Sequence, residues 1–384
     1  MDYIHFHRAH IAEDDIAEVI DSLKSGWLTM GPKTAKFEAE FARYVQAPFA
    51  VSVNSCTAAM HLALKALGLR AGDEVIVPAL TFVATSEVVT YFQARPVLAD
   101  VEKETHNLDV QAAARAITPK TRTIIPVHYG GQPCDLDELH DLAKSHNLAV
   151  IEDAAHAFPS FYKGKMIGSF GDAVCFSFYA TKTLTTGEGG MICTANPEVA
   201  EAVKILRLHG ISKDAWKRYA REGSWYYEVI ESGFKYNMTD VQAGLGLAQL
   251  RKADWMLARR TAIAQRYTEA FRPLDGITTL TIRPDRQTCW HLYPIRLDLD
   301  QLRISRNQFI EHLTQQGIGI GVHFIPLYRH PFYQQNFAYE CKDFPNSEWI
   351  YERVLSLPIY PGLTDTEVER IITAVVDLVR TFKR

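Results

Sequence analysis

Long apolar runs are missing from this chain: none approaches the ~18 residues that a bilayer-spanning helix needs. An excess of positive charge is missing too. Lys and Arg number 41 against 45 Asp and Glu, a formal charge of −4, so no basic stripe points to nucleic acid or an anionic membrane. The six cysteines, at 56, 134, 175, 193, 289 and 341, show no CxxC spacing. They fit reduced thiols of a cytosolic protein, not a disulfide frame or a zinc site, and no metal is expected. The opening MDYIHFHRAHIAEDD lacks the basic-then-apolar pattern of a signal peptide. Internal repeats, low-complexity tracts and flexible linkers are absent. The expectation is a cytoplasmic protein with neither a membrane nor a nucleic acid as partner.

What is present is an alternation of short apolar runs and amphipathic segments. AVSVN (50–54), EVIVP (74–78), RPVLADV (95–101), TIIPVHY (123–129), AVIED (149–153), AVCFSF (173–178) and GMICT (190–194) read as strands. Helices are expected between them, at 57–69, 81–94 and 135–147. Strands with so little alternation are buried on both faces, which predicts an α/β fold with a mostly parallel sheet flanked by helices. After a long helix at 239–260 the texture changes to alternating strands (276–282, 290–297) and helices (305–316, 364–379). A chain of 384 residues is long for one core. The expected division is a large domain over 1–250 with an N-terminal arm, and a smaller C-terminal α+β domain over 251–384. The polar, aromatic-rich segment 209–235 is expected to be an ordered loop near the site.

Ligands of such sheets collect beyond the carboxyl ends of the strands, and Ser55, Asp153 and Ser177 all fall there. Lys182 follows Ser177 in FSFYATKTLTTGEGGMICT (176–194), amid small and hydroxylated residues and then glycines. An amine, a carboxylate and a hydroxyl within folding reach suit pyridoxal 5'-phosphate (PLP): Lys182 for the aldehyde, Asp153 for the ring nitrogen and Ser177 for the phosphate. Ser55, Cys56 and Thr57 open a helix whose free amides could hold a phosphate, although a Ser/Thr N-cap explains the same residues. A strand-end aspartate such as Asp153 can merely cap the next helix. His156 could hydrogen-bond the cofactor ring or simply pack in the core. Most lysines are solvated.

In this order and spacing the motifs resemble one family: the PLP-dependent nucleotide-sugar aminotransferases of the DegT/StrS type, with an aspartate-aminotransferase-like (type I) fold. The likeness runs from SLKSGWLTMGPKTAKFEAEFARYV (22–45) through NSCTAAMHLALKALGLRAGDEVIVPALTFVAT (54–85), IEDAAHA (151–157) and SFYATKTLTTGEGG (177–190). It continues in ESGFKYNMTDVQAGLGLAQL (231–250), GIGIGVHFIPLYRHPFY (317–333) and LSLPIYPGLTDTEVERI (355–371).

The resemblance implies roles position by position. Lys182 would carry the cofactor and shuttle protons, and Asp153 would pair with the pyridine nitrogen. Ser177 and the segment Cys56, Thr57 and Ala58 would hold the phosphate. Phe82 would stack on the ring, with His156 beside it. Asn237, with Lys235, would complete the phosphate pocket of a neighbouring subunit, making a homodimer with shared sites. Thr29, Met30 and Gly31, with His323 and Phe324, would face the sugar. Many members have Ser-Gly-Thr where this chain has Ser55-Cys56-Thr57, Gln in place of His156, and Asn-Tyr-Arg in place of Lys235-Tyr236-Asn237. The last form resembles the branch that aminates C4 of UDP-linked 4-keto sugars. Relatives that act as dehydratases have histidine where Lys182 stands. The implied activity is transamination from L-glutamate to a nucleotide-linked keto-hexose in amino-sugar and polysaccharide biosynthesis. A PLP lyase, an aminotransferase for a non-sugar ketone and a silent regulatory PLP protein remain open beside it.

Overall fold

The computed structural model describes residues 2–212 and 226–384. Residues 213–225, the middle of the loop expected at 209–235, lie outside the described residues. In chain order the strands are β1 (Phe49–Val53), β2 (Glu74–Pro78), β3 (Arg95–Ala99), β4 (Thr121–Ile124), β5 (Ala149–Asp153), β6 (Phe161–Tyr162) and β7 (Lys165–Met166). They continue with β8 (Ala173–Ser177), β9 (Gly190–Thr194), β10 (Ile277–Thr279), β11 (Arg286–Gln287), β12 (Tyr293–Leu297) and β13 (Val354–Leu357). Seven of them form the main sheet in the order β1-β9-β8-β5-β4-β2-β3. Every pairing is parallel except the two made by β9, as the apolar, non-alternating strands predict.

The helices are α1 (Glu13–Ser25), α2 (Pro32–Val45), α3 (Cys56–Ala66), α4 (Ala84–Thr90), α5 (Val110–Ala116), α6 (Leu136–His146) and α7 (Pro197–Leu206). Then follow α8 (Asp240–Arg251), α9 (Ala253–Phe271), α10 (Arg306–Gln315), α11 (Pro331–Phe337), α12 (Pro345–Arg353) and α13 (Asp365–Phe382). Two apolar layers cover the main sheet. One gathers Phe41, Phe158 and Phe176, with Phe41 ring centroids 5.1 and 5.2 Å from the other two. The other packs α3 and Leu327, Tyr328 and Phe344 against Val51, Val75 and Ile151. A further core joins α9, α10 and α13 to the sheet β10-β12-β13, and Ile4 of the N-terminal segment enters it. No helix among the described residues is long and apolar enough to cross a membrane.

Several expected elements come out differently; the strand foreseen at 123–129, for one, ends at Ile124. The helix foreseen at 239–260 is two, α8 and α9, parted at Lys252 (φ −103°, ψ 1°). The Lys252 ammonium is tied at that break to Asp14 and Asp15 of α1, at 2.9 and 2.5 Å. The helix foreseen at 81–94 is limited to α4, and Gln93 turns into the left-handed region at φ 55°. The strand foreseen at 276–282 keeps only β10, because only Ile277 to Thr279 find partners on β12.

Candidate active site

Strand β5 delivers Asp153 at its carboxyl end, where the side chain is 5 % exposed. The strand end is pinned to the segment after β4, with Asp153 N donating to Pro126 O at 2.9 Å and His128 N donating to Asp153 O at 3.2 Å. Thr85 of α4 donates its hydroxyl to Asp153 Oδ2 at 2.8 Å, and the Ala155 amide donates to Oδ1 at 3.1 Å. Burial pushes the carboxyl above the usual carboxylate range, while those two donors and the charges of Lys182 and His128 pull it back. A cation placed against it completes that compensation. A pyridinium nitrogen is such a cation.

Lys182 stands in the turn between β8 and β9, its amide donating to Tyr179 O at 2.9 Å. The threonines around it brace the turn: Thr183 Oγ1 donates to Phe158 O, Thr185 Oγ1 to Phe178 O at 3.2 Å, and Thr186 Oγ1 to Glu188 O at 2.6 Å. Dehydration lowers the Lys182 pKa, and Asp153 is the largest influence in the other direction. A lowered amine pKa is what a lysine nucleophile needs near neutral pH.

Helix α3 begins beside them. Ser55 is its N-cap and accepts the Ala58 amide at 3.0 Å, which leaves the Cys56 and Thr57 amides without a partner among the described residues. The N-cap and the open amides therefore coexist at one helix start. Cys56 turns its thiol inward to Cys175 O at 3.4 Å, so it does not obstruct the helix mouth. Gly190 packs directly under this peptide: a Cβ there would lie 2.5 Å from the Ser55 carbonyl carbon and oxygen.

These features share a cavity of about 640 Å³. Of the residues expected at the site, Cys56, Thr57, Phe82, Asp153, His156, Ser177, Lys182, His323 and Phe324 line it. Phe82 stays largely exposed at the mouth, its ring 6.1 Å from that of Phe324. Ala58, Thr29, Met30, Gly31, Lys235 and Asn237 do not line the cavity within one chain. The Thr29–Gly31 segment is fastened to the start of α8, with Gly31 N donating to Asp240 Oδ1 at 2.8 Å. Lys235 Nζ donates to Asn237 Oδ1 at 2.6 Å outside the cavity.

Sequence reasoning missed Thr85, His291 and the N-terminal pair Phe6 and His7, all beside Asp153 or on the cavity wall. Thr85 sat unassigned inside the TFVAT run, and the others had no local signal. His291 and His156 are 4.4 Å apart between ring centroids. Burial and the Lys182 charge hold both well below the usual histidine range, and they bring His323 to about 3. The wall is thus lined with neutral imidazoles. Among the described residues no group of His, Cys, Asp or Glu side chains is arranged to hold a metal.

The donor set fits PLP: unpaired helix-start amides for a phosphate, a dehydrated amine for an aldehyde, and a buried carboxylate for a ring nitrogen. The relatives agree. The model of the DegT/DnrJ/EryC1/StrS aminotransferase family matches residues 9–376, and the chain belongs to that family. It is a PLP-dependent aminotransferase. It is 49 % identical over 371 residues to the spore coat polysaccharide biosynthesis protein SpsC of Bacillus subtilis, covering 96 % of this chain and 95 % of that one. It is 55 % identical over 372 residues to an uncharacterised protein of Methanocaldococcus jannaschii, covering 97 % and 96 %. The PMP form of the putative sugar aminotransferase Spr1654 from Streptococcus pneumoniae superposes with a TM-score of 0.92 at 37 % identity, covering 98 % and 99 %. A PLP form of the same protein matches at 0.91.

Proposed function

We propose that this aminotransferase moves an amino group from L-glutamate to a nucleotide-linked keto-hexose, a UDP-4-keto sugar in the first instance, for amino-sugar and polysaccharide biosynthesis. The observation that carries the chemistry is the placing of Lys182 and Asp153 in one dehydrated cavity at the carboxyl ends of β8 and β5. The substrate class is supported by what the B. subtilis and S. pneumoniae relatives are named for.

Bound PLP supplies an aldehyde and a protonated ring that draws electrons from the carbon next to nitrogen. The residues of this chain do the rest. Lys182 Nζ attaches the cofactor and, once released, carries a proton to and from the carbon whose nitrogen changes. Asp153, oriented by Thr85 and the Ala155 amide, holds the proton on the ring nitrogen. The Cys56 and Thr57 amides and Ser177 grip the phosphate. Phe82 and Phe324 flank the cavity mouth, their ring centroids 6.1 Å apart, on the side where a sugar would enter.

The working unit in this reading is a cytoplasmic homodimer. Lys235 and Asn237, bonded to each other, stand outside their own cavity, as residues that complete a neighbour's would, and α1 leaves Ile16, Ile20 and Leu23 exposed for pairing. A panel of UDP- and dTDP-linked 3- and 4-keto sugars, incubated with PLP-loaded protein and L-glutamate, tests the assignment. The expected result is 2-oxoglutarate formed in step with an amino sugar. Glutamate consumption that no sugar ketone supports would overturn the substrate class.

A further inference from the structure

Glu152 is fully buried on β5, one residue before Asp153, and alternation along the strand sends the two side chains to opposite faces of the main sheet. It reaches His128, which is also fully buried: His128 Nε2 and Glu152 Oε2 are 2.9 Å apart. The Cys134 amide donates to His128 Nδ1 at 3.1 Å, so the ring proton lies on Nε2 and is donated to the carboxylate. Among the described residues the Glu152 carboxylate makes no other hydrogen bond, its Oε1 being enclosed without a partner. Room for Oε1 comes from Gly171, where a Cβ would stand 2.8 Å from it. An enclosed carboxylate with a single hydrogen bond is unfavourable by itself, and Glu152 does not line the cavity.

What Glu152 holds is the bend after β4. Residues 127–131 include two consecutive glycines in the left-handed region, Gly130 at φ 63° and Gly131 at φ 106°, and these supply no side chain to fix the backbone. Asn107 and Ser160 bond to the bend at Tyr129 N and Gly131 O. Of its side-chain ties among the described residues, the one from His128 to Glu152 runs to the strand that carries Asp153. The bend meets the cavity wall at several points. Val127 lines the cavity itself. His128 N donates to Asp153 O at 3.2 Å, Gly130 N to His156 Nδ1 at 3.4 Å, and Leu292 N to Gly130 O at 3.2 Å. The Tyr129 hydroxyl donates to His323 O. Asp153, His156, Leu292 and His323 come from separate parts of the chain, all line the cavity, and all touch this one bend.

We infer that Glu152, acting through His128, is a positioning residue for the cofactor site: its hydrogen bond sets where residues 127–131 lie, and so where Asp153 and His156 stand. This rests on the placing of Asp153 at the cofactor ring nitrogen, which Asp153→Asn tests separately. The role requires an acceptor oxygen at the reach of a glutamate side chain; an amide oxygen also accepts from Nε2–H.

Two substitutions separate reach from charge. Glu152→Gln keeps the reach and an acceptor oxygen and loses the charge. Glu152→Asp keeps the charge and draws the carboxylate back by about 1.5 Å, out of bonding range of His128. Both are compared with wild type as PLP-loaded protein, by hydrogen exchange over residues 126–134, by visible circular dichroism of the bound cofactor and by the rate of reaction with L-glutamate. Glu152→Asp is expected to speed exchange and slow the glutamate reaction by roughly 10-fold each, the scale for one lost hydrogen bond to a charged group, and to alter the visible dichroism. Glu152→Gln is expected to keep the wild-type dichroism and to react within about 3-fold of the wild-type rate.

A Glu152→Asp protein with wild-type exchange, dichroism and rate would overturn the inference, even if it melted at a lower temperature, because Glu152 would then serve stability alone. A loss in Glu152→Gln as large as that in Glu152→Asp would also overturn it, by assigning the effect to charge. Should Glu152→Asp fail to fold, His128→Asn shortens the same bridge from its other end: altered dichroism supports the inference and unaltered dichroism overturns it. Exchange and dichroism need no substrate, so a wild-type protein inert to L-glutamate would overturn the donor reading while these two still decide the role of Glu152.

Discussion

The hydroxyl of Thr85 donates to Oδ2 of Asp153 at 2.8 Å, and Thr81 lies 2.9 Å behind it in the same chain of hydroxyls. Thr85 and Asp153 come from different strand–helix units, so the bond joins the start of α4 to the end of β5. Among the described residues the Asp153 carboxylate has one other hydrogen bond, from the Ala155 amide. Thr85→Val removes the side-chain donor at nearly constant volume. The expected cost is about 1–2 kcal/mol at a charged acceptor, seen as roughly 10-fold lower turnover with the fold retained. Turnover equal to wild type would show that Ala155 alone orients the carboxylate.

Asp153→Asn keeps the shape and removes the charge. Turnover is expected to fall by about 10²–10³-fold, the scale for losing one preorganised electrostatic contact. The unliganded protein is expected to gain stability, because burial already disfavours the ionised carboxyl. Turnover and thermal melting together check this. Wild-type turnover in the variant would make Asp153 a structural residue and nothing more.

Gly190→Ala places a Cβ 2.5 Å from the Ser55 carbonyl and 2.8 Å from Cys56 N. Backbone cannot yield as a flexible side chain does, so the start of α3 must shift and its free amides with it. PLP affinity, read by fluorescence titration, is expected to weaken by roughly 10-fold or more, the equivalent of one displaced charge-assisted hydrogen bond. Unaltered affinity would remove these amides from the phosphate site.

Histidine burial predicts acid sensitivity. His7 and His61 are lowered to about 4 and His323 to about 3, chiefly by desolvation. Between those values and the unfolded value near 6.5 the unfolded chain binds more protons than the folded one, so stability rises with pH across that window. It is fully present above about 6.5 and declines as pH falls toward 4. Melting temperatures measured from pH 7 down to 5, above the carboxylate range, should drop steadily. A flat profile would contradict the buried, neutral state of these imidazoles.

Much of this was legible in the chain. The parallel sheet followed from strands such as EVIVP, whose last four residues are buried. Lys182 and Asp153 were legible because Asp153 ends one apolar strand and Lys182 lies in the turn five residues past the end of its parallel neighbour, so strand direction brings them to one edge of the sheet. His7, His291 and Thr85 were not, since each reaches the site from a distant part of the chain and none belongs to a strand-end pattern. The break between α8 and α9 was hidden for a related reason: it is marked by Lys252 reaching two aspartates on α1, a tertiary contact that helical periodicity does not register. Glu152 illustrates the limit best. In sequence it is the residue before Asp153, and its bond to His128 is visible only once the segment after β4 lies beside β5.

The central claim is the covalent role of one amine. Reduction of the PLP-loaded protein with borohydride, followed by peptide mapping by mass spectrometry, tests it most directly. The account predicts a single reduced pyridoxyl adduct on the peptide containing Lys182, and none in Lys182→Ala, which should fold normally and lose turnover by at least about 10⁴-fold. An adduct on another lysine, or an unlabelled Lys182 in protein that turns over normally, would contradict it.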